Sequence, residues 1–469
     1  MLPRFEVARR LRPLDLLAPG MVDLDLDLEA AGARPVSDSH ALPQPAPYVA
    51  LVADVTGPAT VALEAGGVRM SGSLGPDRRT GLVVSGAATT RHRSRRFGRV
   101  GRGAHVDAVA LILTGPQLTL LTHDRDGWTG RARVDLLDLL DGEIDPHDPD
   151  WLASLRVSAS GAVRRLRAGG FGQLGLRDLR LVSHADGTPY LRDGRPFLTA
   201  TSAGAGFFAT GHASVWELDP DTLDLTHRAD LFARRGGKVY GDQAMHLVRD
   251  GDSWLVATSS WGSFRDPAVD EVHVEIARSD ADLLDGRHVL DTRPLPLPTT
   301  GLHSVGVWDP HLVRVPATDT GAEGNHWLVG YVSASRFFVF HPVVATGADL
   351  DRLTLRAAAT ERRATEGTTL VPPSVAGGAW RVLASDGRDG RRGERAAYPV
   401  FDLDLRQQGV IDAEYHSNLP WPTLVPVGEE LLLVGFDGTP AGGRLLGYGT
   451  HGDVVVARSV TGQSREGPA

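Results

Sequence analysis

Four acidic residues in the last 300 residues of the chain each stand at the start of a short apolar segment. They are Asp178 before Leu-Arg-Leu-Val, Asp242 before Gln-Ala-Met-His-Leu-Val, Asp309 before Pro-His-Leu-Val, and Glu366 before Gly-Thr-Thr-Leu. Carboxyl groups that share a pocket raise one another's pKa, so ionised and protonated forms can coexist there. Acid–base cleavage of a glycosidic bond requires one carboxyl group of each kind.

Whether these acids meet depends on the elements that carry them. Each acidic segment is followed, after a turn, by a second apolar segment such as Ser253-Trp-Leu-Val-Ala-Thr-Ser or His326-Trp-Leu-Val-Gly-Tyr-Val-Ser. Five such units, at intervals of very roughly 60 residues, predict the blades of a five-bladed β-propeller. The first strands of all blades line one central axis, so acids that begin them would converge. Trp254, Trp327 and Trp380 recur at equivalent positions and are predicted to pack between blades.

The composition favours an all-β protein with many short strands and turns. Hydrophobic residues make up 42% of the 469 residues, with 55 glycines and 30 prolines. Residues 1–156 lack the repeated unit and predict an N-terminal β-sandwich-like domain, with one short helix from Pro149 capped by Asp150. Residues 157–175 are interpreted as a linker, residues 176–458 as the catalytic propeller, and residues 459–469 as a flexible tail.

Three of the acidic motifs resemble those of the propeller glycosidases of family 43 and its relatives, which include arabinofuranosidases and β-xylosidases. The matching motifs are Arg177-Asp178, Trp308-Asp309-Pro310-His311 and Thr365-Glu366-Gly367. The resemblance implies that Asp178 is the general base, that Asp309 orients the acid and tunes its pKa, and that Glu366 is the general acid. Leu179 and Thr368 stand where the family commonly has proline, which indicates a distant relationship.

The resemblance also implies inversion at the anomeric carbon. Inverting pairs of carboxyl groups lie roughly 6.5–9.5 Å apart, whereas a separation near about 5 Å would make Asp178 a nucleophile and retain the configuration. No cofactor is required for either mechanism. An axial calcium ion, held with the help of His416, is compatible with the family pattern, and no zinc-binding motif is present in the sequence.

Other side chains are candidates for binding the substrate. Trp308 adjoins Asp309 and is predicted to stack on a sugar ring, and Trp261 follows the end of a blade strand. Asp242 is a further acid that would replace Asp178 if Asp178 is structural. The complete set of predicted substrate-binding residues is Asp242, Trp261, Trp308, His311, Arg336 and His416.

Several classes of protein are excluded or disfavoured. The chain contains no cysteine, so disulfides, thiolate metal sites and cysteine nucleophiles are excluded. A net charge of −9 gives no support to nucleic acid as a partner. No run approaches the roughly 20 apolar residues that span a bilayer, and the start lacks a secretory pattern, which predicts a cytoplasmic protein without a membrane partner.

One dense basic run, from Arg91 to Arg102, lies within the predicted sandwich. It could bind an anionic ligand or fold over the mouth of the propeller. The more ordinary interpretation is a solvated hairpin loop.

The sequence therefore predicts a glycoside hydrolase that cleaves a furanoside or pentose-type bond in an oligosaccharide or glycoside. One alternative is a glycoside phosphorylase, in which Arg177, Arg336 and His311 would bind phosphate. The other is a non-catalytic carbohydrate-binding propeller, because the same fold serves both binding and catalysis.

Overall fold

The computed structural model describes residues 2–28, 39–266, 271–316, 325–417, 419–439, 445–447 and 452–460. These residues form an N-terminal sandwich and a propeller, which confirms the predicted fold class. The chain begins with strand β1 (Arg4–Leu11), which joins the last blade. The helices are short, namely α1 (Leu136–Leu140), α2 (Pro149–Ala153), α3 (Pro373–Ala376) and two 3-10 turns at Phe208–Thr210 and Trp261–Ser263. Within the described ranges, no helix is both long enough and apolar enough to cross a membrane.

Ten strands build the sandwich. They are β2 (Asp15–Asp27), β3 (His40–Ala41), β4 (Tyr48–Ala65), β5 (Val68–Leu74), β6 (Thr80–Ser85), β7 (Thr89–His92), β8 (Ala108–Thr114), β9 (Gln117–Asp124), β10 (Gly127–Asp135) and β11 (Arg156–Gln173). The first half of β4 pairs with β8 and the second half pairs with β5, so this one strand contributes to two layers. Apolar residues of both layers, such as Leu51 and Leu63, share one buried core.

Residues 156–173, most of which were predicted to be a linker, form the long strand β11 of the sandwich. β11 runs antiparallel to β4 and also pairs with β2. Leu166 and Phe171 of this strand are fully buried, whereas Arg165 pairs with Asp25 at the surface. The glycines and arginines of this segment therefore belong to a bent strand with one solvated face.

The predicted short helix is present as α2, but its cap differs from the prediction. Asp148, not Asp150, is the N-cap residue, and its Oδ1 accepts hydrogen bonds from the backbone N–H groups of Asp150 at 2.7 Å and Trp151 at 3.4 Å. Pro149 takes the first helical position, where a missing N–H is harmless, so the cap must lie one residue earlier.

The propeller contains five sheets, here called blades one to five. Blade one comprises β12 (Leu176–Leu181), β14 (Leu191–Arg192), β15 (Arg195–Ser202), β16 (His212–Leu218), β17 (Leu225–Arg235), β18 (Lys238–Tyr240) and β22 (Gly286–Asp291). Blade two comprises β13 (Ser183–His184), β19 (Gln243–Asp250), β20 (Ser253–Ser259), β21 (Val274–Ser279) and β23 (Arg293–Pro294). Blade three comprises β24 (Val307–Val315), β25 (His326–Arg336), β26 (Val339–Gly347) and β27 (Thr354–Ala358). Blade four comprises β28 (Thr365–Val371), β29 (Arg381–Asp386), β30 (Pro399–Phe401) and β31 (Gln407–Val410), and blade five comprises β32 (Thr423–Val427), β33 (Glu430–Asp437), β34 (Asp453–Val460) and β1.

Buried apolar clusters between neighbouring blades close the sheets into a ring. One such cluster joins each of the five successive pairs, and the pair formed by blades five and one completes the circle. Trp254, Trp327 and Trp380 are each buried in one of these clusters, which confirms their predicted role in packing between blades. The ring also closes through hydrogen bonds, because β1 from the start of the chain pairs with β34 from its end.

A bulge interrupts the innermost strand of each of the first four blades at the same position. The bulged residues with positive φ are Asp178, Ala244, Asp309 and Gly367. At two of these bulges, a hydroxyl oxygen of the preceding blade accepts a hydrogen bond from the backbone N–H of the bulged residue. Thr201 Oγ1 accepts from Ala244 at 3.0 Å, and Ser259 Oγ accepts from Asp309 at 2.9 Å. A β-bulge re-aims the side chain next to it, so these four positions direct residues into the axis.

The buried guanidinium group of Arg180 connects the blades at the axis. It donates hydrogen bonds to the backbone oxygen of Asp309 in blade three at 2.9 Å and to Thr369 Oγ1 in blade four at 3.0 Å. The same group lies 4.6 Å from the ring centre of Trp421, just before blade five. Arg180 in blade one thus contacts residues from three other parts of the ring.

Replacing Arg180 by methionine should strongly destabilise the protein. The substitution removes three cross-blade contacts and the positive charge that offsets two buried carboxyl groups, and breaking such a buried arrangement typically costs about 3–5 kcal/mol. Urea unfolding would measure the loss. Arg336→Met, at an exposed arginine, is the matched control and should change stability by less than about 0.5 kcal/mol. Equal stability of the two variants would contradict the proposed role of Arg180.

Candidate active site

A cavity opens at one end of the propeller axis. Its lining comes from all five blades and from connecting segments. The lining residues are Arg177, Asp178, Gln243, Ala244, Trp308, Asp309, Glu366 and Phe436 from the blades, and Phe208, Trp261, Leu419 and Trp421 from the connections. The three acids of the predicted catalytic set therefore meet in one place, although they are up to 188 residues apart in the sequence.

Asp309 is the most buried of the three acids, with 3% of its surface exposed. Its Oδ2 accepts a hydrogen bond from the backbone N–H of Gly367 at 3.4 Å, which joins it to the residue after Glu366. Burial raises the pKa of Asp309 well above its ordinary value, and the neighbouring charges of Glu366 and Asp178 raise it further. Both other acids therefore act on the pKa of Asp309.

Asp178 lies beside a cation. Its Oδ2 is 3.5 Å from Nε of Arg177. Burial raises the pKa of Asp178, while Arg177, a hydrogen bond from Thr201 and the charge of Arg180 oppose that rise. Among the three acids, Asp178 has the surroundings that best stabilise a negative charge.

Glu366 has the opposite surroundings. Burial is the main cause that raises its pKa from the ordinary 4.5 to about 8, and the charge of Asp178 adds to the rise. A hydrogen bond from Trp421 Nε1, at 3.4 Å from Glu366 Oε1, acts in the opposite direction. Near neutral pH the cavity therefore presents a protonated carboxyl group from Glu366 next to an acid that is better able to ionise.

Aromatic rings form one wall of the cavity. Trp261 and Trp308, both predicted to bind substrate, line it with their ring centres 5.4 Å apart. Phe208 stacks on Trp261 at 4.8 Å with an angle of 23° between the rings. Such a wall offers a flat apolar face beside the carboxyl groups.

Two of the other predicted substrate-binding residues serve the interior of the propeller. Asp242 is fully buried and forms a salt bridge of 2.7 Å with Arg235, which turns its carboxylate away from the cavity. Gln243, one residue later, takes the place in the cavity. His311 lies deeper along the axis, where its ring stacks on His246 at 4.1 Å and its Nδ1 accepts the backbone N–H of Leu370 at 3.4 Å.

The remaining two predicted residues lie outside the cavity lining. Arg336 is exposed at the last position of β25. His416, which the family pattern associated with an axial ion, contacts Glu414 at 3.2 Å and Arg10 at 3.3 Å. Among the described residues, no group of three or more His, Asp or Glu side chains is arranged to hold a metal ion.

The structure adds Gln243, Trp421 and Phe208, which the sequence did not single out as binding residues, and it gives a further role to Arg177, which the sequence considered only for binding phosphate. Arg177 donates a hydrogen bond of 2.7 Å to Gln243 and so joins blades one and two beside Asp178. Trp421 contacts Glu366, and its place before the fifth apolar unit was the only signal for it. Phe208 follows a glycine-rich segment that is typical of a tight turn, and its backbone oxygen accepts a hydrogen bond from Gln243.

The sandwich supports the segment that carries Phe208. The Oη of Tyr48, at the start of β4, donates a hydrogen bond of 2.9 Å to the backbone oxygen of Gly211. A shared apolar cluster, which includes Tyr48 and Phe232, fills the space between the sandwich and blade one. The N-terminal domain therefore positions one wall of the cavity.

The basic run between Arg91 and Arg102 lies at a distance from this site in the fold. It forms the end of the sandwich edge strand β7 and the turn that follows, and its six arginines are exposed. None of its residues lines the cavity. These positions agree with the interpretation as a solvated hairpin segment.

Comparison with solved structures shows low-level similarity to glycosidases. The chain is similar to the structure of RS223-β-xylosidase, with 12% identity over 61% of this chain and 92% of the other and a TM-score of 0.39. It is also similar to the GH43_1 enzyme from Xanthomonas citri complexed with xylose, with 13% identity over 61% of this chain and 87% of the other and a TM-score of 0.39. A third similar structure is Zg3597, a family 117 glycoside hydrolase produced by the marine bacterium Zobellia galactanivorans, with 11% identity over 61% of this chain and 90% of the other and a TM-score of 0.39. No family model and no curated protein matches the chain.

Glu366→Gln should make the folded protein more stable at high pH. Between pH 4.5 and about 8 the unfolded chain releases a proton that folded Glu366 retains, so this residue lowers stability as the pH rises through that window. The variant lacks this dependence. Its melting temperature should exceed that of the wild type most at pH 8 and above, by about 1–2 °C for each kcal/mol gained in a chain of this length. Differential scanning calorimetry from pH 5 to pH 9 would test this.

The exposed Glu361, just before β28, provides the control. Glu361→Gln should leave the melting temperature almost unchanged across the same pH range. If the melting temperatures of the wild type and of Glu366→Gln differ by the same amount at every pH, that result would contradict a raised pKa of Glu366.

Proposed function

We propose that this protein is a glycoside hydrolase. The observation that supports it most is the convergence of Asp178, Asp309 and Glu366, from three blades, in one cavity with an aromatic wall. The two catalytic roles in glycoside cleavage need a protonated and an ionised carboxyl group. Burial raises the pKa of Glu366 to about 8, whereas Arg177 and Arg180 oppose the rise in the pKa of Asp178. Glu366 therefore suits the protonated role and Asp178 the ionised one.

In the proposed mechanism, Glu366 gives its proton to the glycosidic oxygen as the bond from that oxygen to the anomeric carbon breaks. Asp178 takes a proton from a water molecule, and the resulting hydroxide attacks the anomeric carbon from the opposite face and inverts it. The products are the free sugar and the leaving alcohol. Asp309 acts as a positioning residue, because it binds the backbone N–H of Gly367, the residue that follows Glu366.

The resemblance of the three acidic motifs extends the proposal to a furanoside or pentose-type glycoside. Asp178 and its partner Arg177 line the cavity together with Gln243, and all three can hydrogen-bond to sugar hydroxyl groups. Trp261 or Trp308 would receive the apolar face of the sugar ring. The notion of a phosphorylase is less well supported, because Arg336 and His311 are not among the residues that line the cavity.

Hydrolysis of a panel of nitrophenyl glycosides tests the assignment. The panel contains arabinofuranosides of both the D and L series, xylosides, fructofuranosides and galactofuranosides. The sugar found active is then tested as its methyl glycoside, whose leaving group depends on acid assistance, and Glu366→Gln and Asp309→Asn should each lower kcat/KM on it by about 10²–10⁴-fold, the usual contribution of general acid–base catalysis. Glu361→Gln should keep wild-type activity. Activity that survives both substitutions would show that other groups perform the chemistry, and a silent panel would favour a binding function.

The pH dependence should reveal the proton on Glu366. The general acid acts only while protonated, so kcat/KM should fall above about pH 8, by roughly tenfold per pH unit. Trp421→Phe removes a hydrogen bond that lowers the pKa of Glu366, so it should move this alkaline limb to higher pH. A glycoside with an aliphatic leaving group should be used, since it depends most on acid assistance. An alkaline limb near pH 5, or one that Trp421→Phe leaves in place, would contradict the role of Glu366.

A further inference from the structure

A second pocket adjoins the cavity on the side of Glu366, and we call it the aromatic pocket. Its space, counted together with the solvent at its open mouth, is about 840 Å³. Six aromatic side chains line it, namely Phe208, Trp261, Trp308, Phe337, Phe338 and Phe340. Among the described residues that line it, Glu366 and Asp389 are the only ones with acidic or basic side chains. The two pockets therefore differ in chemistry, with the acids Asp178 and Asp309 lining only the first.

The rings of the aromatic pocket pack against one another. Phe208 and Phe337 meet edge to face at 5.5 Å, and Phe337 and Phe338 do so at 4.8 Å. Trp308 contacts Phe340 at 5.9 Å in the same kind of geometry. Contacts of this kind hold the apolar lining in place before any ligand binds.

The hairpin tip between β25 and β26 keeps two phenylalanines in an unfavourable setting. Phe337 and Phe338 are 39% and 68% exposed. Exposure of large apolar side chains to water is unfavourable. Phe338 also has a φ of 69°, in a region that favours glycine or asparagine. A residue that is both exposed and in a strained backbone conformation points to a function outside folding.

Glu366 lines both pockets, which also share Phe208, Trp261, Trp308 and Leu419 as a common wall. If Glu366 protonates the glycosidic oxygen, that oxygen must lie at the boundary between them. The sugar that is attacked then lies on the side of Asp178 and Asp309, and the leaving group lies in the aromatic pocket. We propose that the aromatic pocket binds an apolar or aromatic aglycone, so that the substrate is a glycoside of such an alcohol. The proposal rests on the proposed function for the role of Glu366.

The chemistry of the aromatic pocket favours this leaving group over a second sugar. A sugar carries several hydroxyl groups, and each one that is buried without a hydrogen-bond partner opposes binding. The lining offers few such partners besides Glu366 and Asp389. An apolar ring or chain loses no hydrogen bonds there and gains contact with six aromatic side chains.

A binding experiment tests the pocket independently of catalysis. The probe is 2-naphthol, titrated by calorimetry into the wild type and into Glu366→Gln. The double variant Phe337→Ala/Phe338→Ala should weaken binding by about tenfold or more, because it removes two of the six rings. Both residues are at an exposed tip, so the fold should survive. Phe338→Asn, which suits the positive φ, is a second variant that removes the ring without strain and should also weaken binding.

Phe207→Ala is the matched control. Phe207 is 55% exposed and follows the same glycine-rich segment, but its ring lies near Arg133 and outside the aromatic pocket. This variant should bind 2-naphthol as the wild type does. Absence of binding, or equal affinity in the control and the double variant, would overturn the proposal.

A kinetic experiment connects the pocket to the reaction. The 2-phenylethyl and methyl glycosides of the sugar found active in the panel have leaving alcohols of similar acidity, so they differ mainly in apolar surface. In the wild type, kcat/KM should be at least about tenfold higher for the 2-phenylethyl glycoside, and the ratio should fall towards one in the double variant. A ratio near one in the wild type would overturn the proposal. If no glycoside is cleaved but 2-naphthol binds as expected, the proposed function fails while the aromatic pocket keeps its assigned ligand.

Discussion

The buried guanidinium group of Arg180 is the interaction on which the active end of the propeller depends. Asp178, Asp309 and Glu366 are removed from water together, and like charges so close would oppose folding without a nearby cation. Arg180 provides that cation and binds backbone and side-chain oxygens of two other blades. Burial lowers its own pKa to about 10, while Asp309 and Asp178 raise it, so the charge remains in place at neutral pH. One side chain thus joins the blades and offsets the negative charge of the buried acids.

The bulges in the inner strands determine the direction in which the acidic side chains point. Asp178 and Asp309 hold a left-handed conformation that costs on the order of 1–3 kcal/mol for a residue other than glycine. Hydroxyl groups at the ends of the preceding blades help to stabilise these bulges, as Ser259 does for Asp309. In blade four the same position is Gly367, which adopts the conformation freely and places Glu366 one residue earlier. The third acid therefore enters the cavity from a different point than the other two.

Glu366 stands where two environments meet. The first cavity holds the other acids and Arg177, whereas the aromatic pocket adds Phe337, Phe338 and Phe340 to the three rings that both share. Burial next to those rings raises the pKa of Glu366, and proximity to Asp178 keeps it raised. The sandwich contributes to this division through Tyr48, which supports the segment bearing Phe208. Both domains thus shape a site whose acids come from the propeller alone.

The sequence by itself determined the all-β class, the repeated units, the packing tryptophans and the convergence of three acids, because these depend on local alternation and on the spacing of a repeat. It could not determine which neighbour of a bulge faces the axis. Asp242 was expected in the cavity and forms a buried salt bridge with Arg235, while Gln243 lines the cavity. Strand β11 had the composition of a linker, and its pairing with β4 depends on residues about 100 positions away. The aromatic pocket likewise gathers Phe208, Trp261 and Phe337 from three separate segments, which only the tertiary structure brings together, because side-chain burial and partner choice are set by contacts between distant parts of the chain.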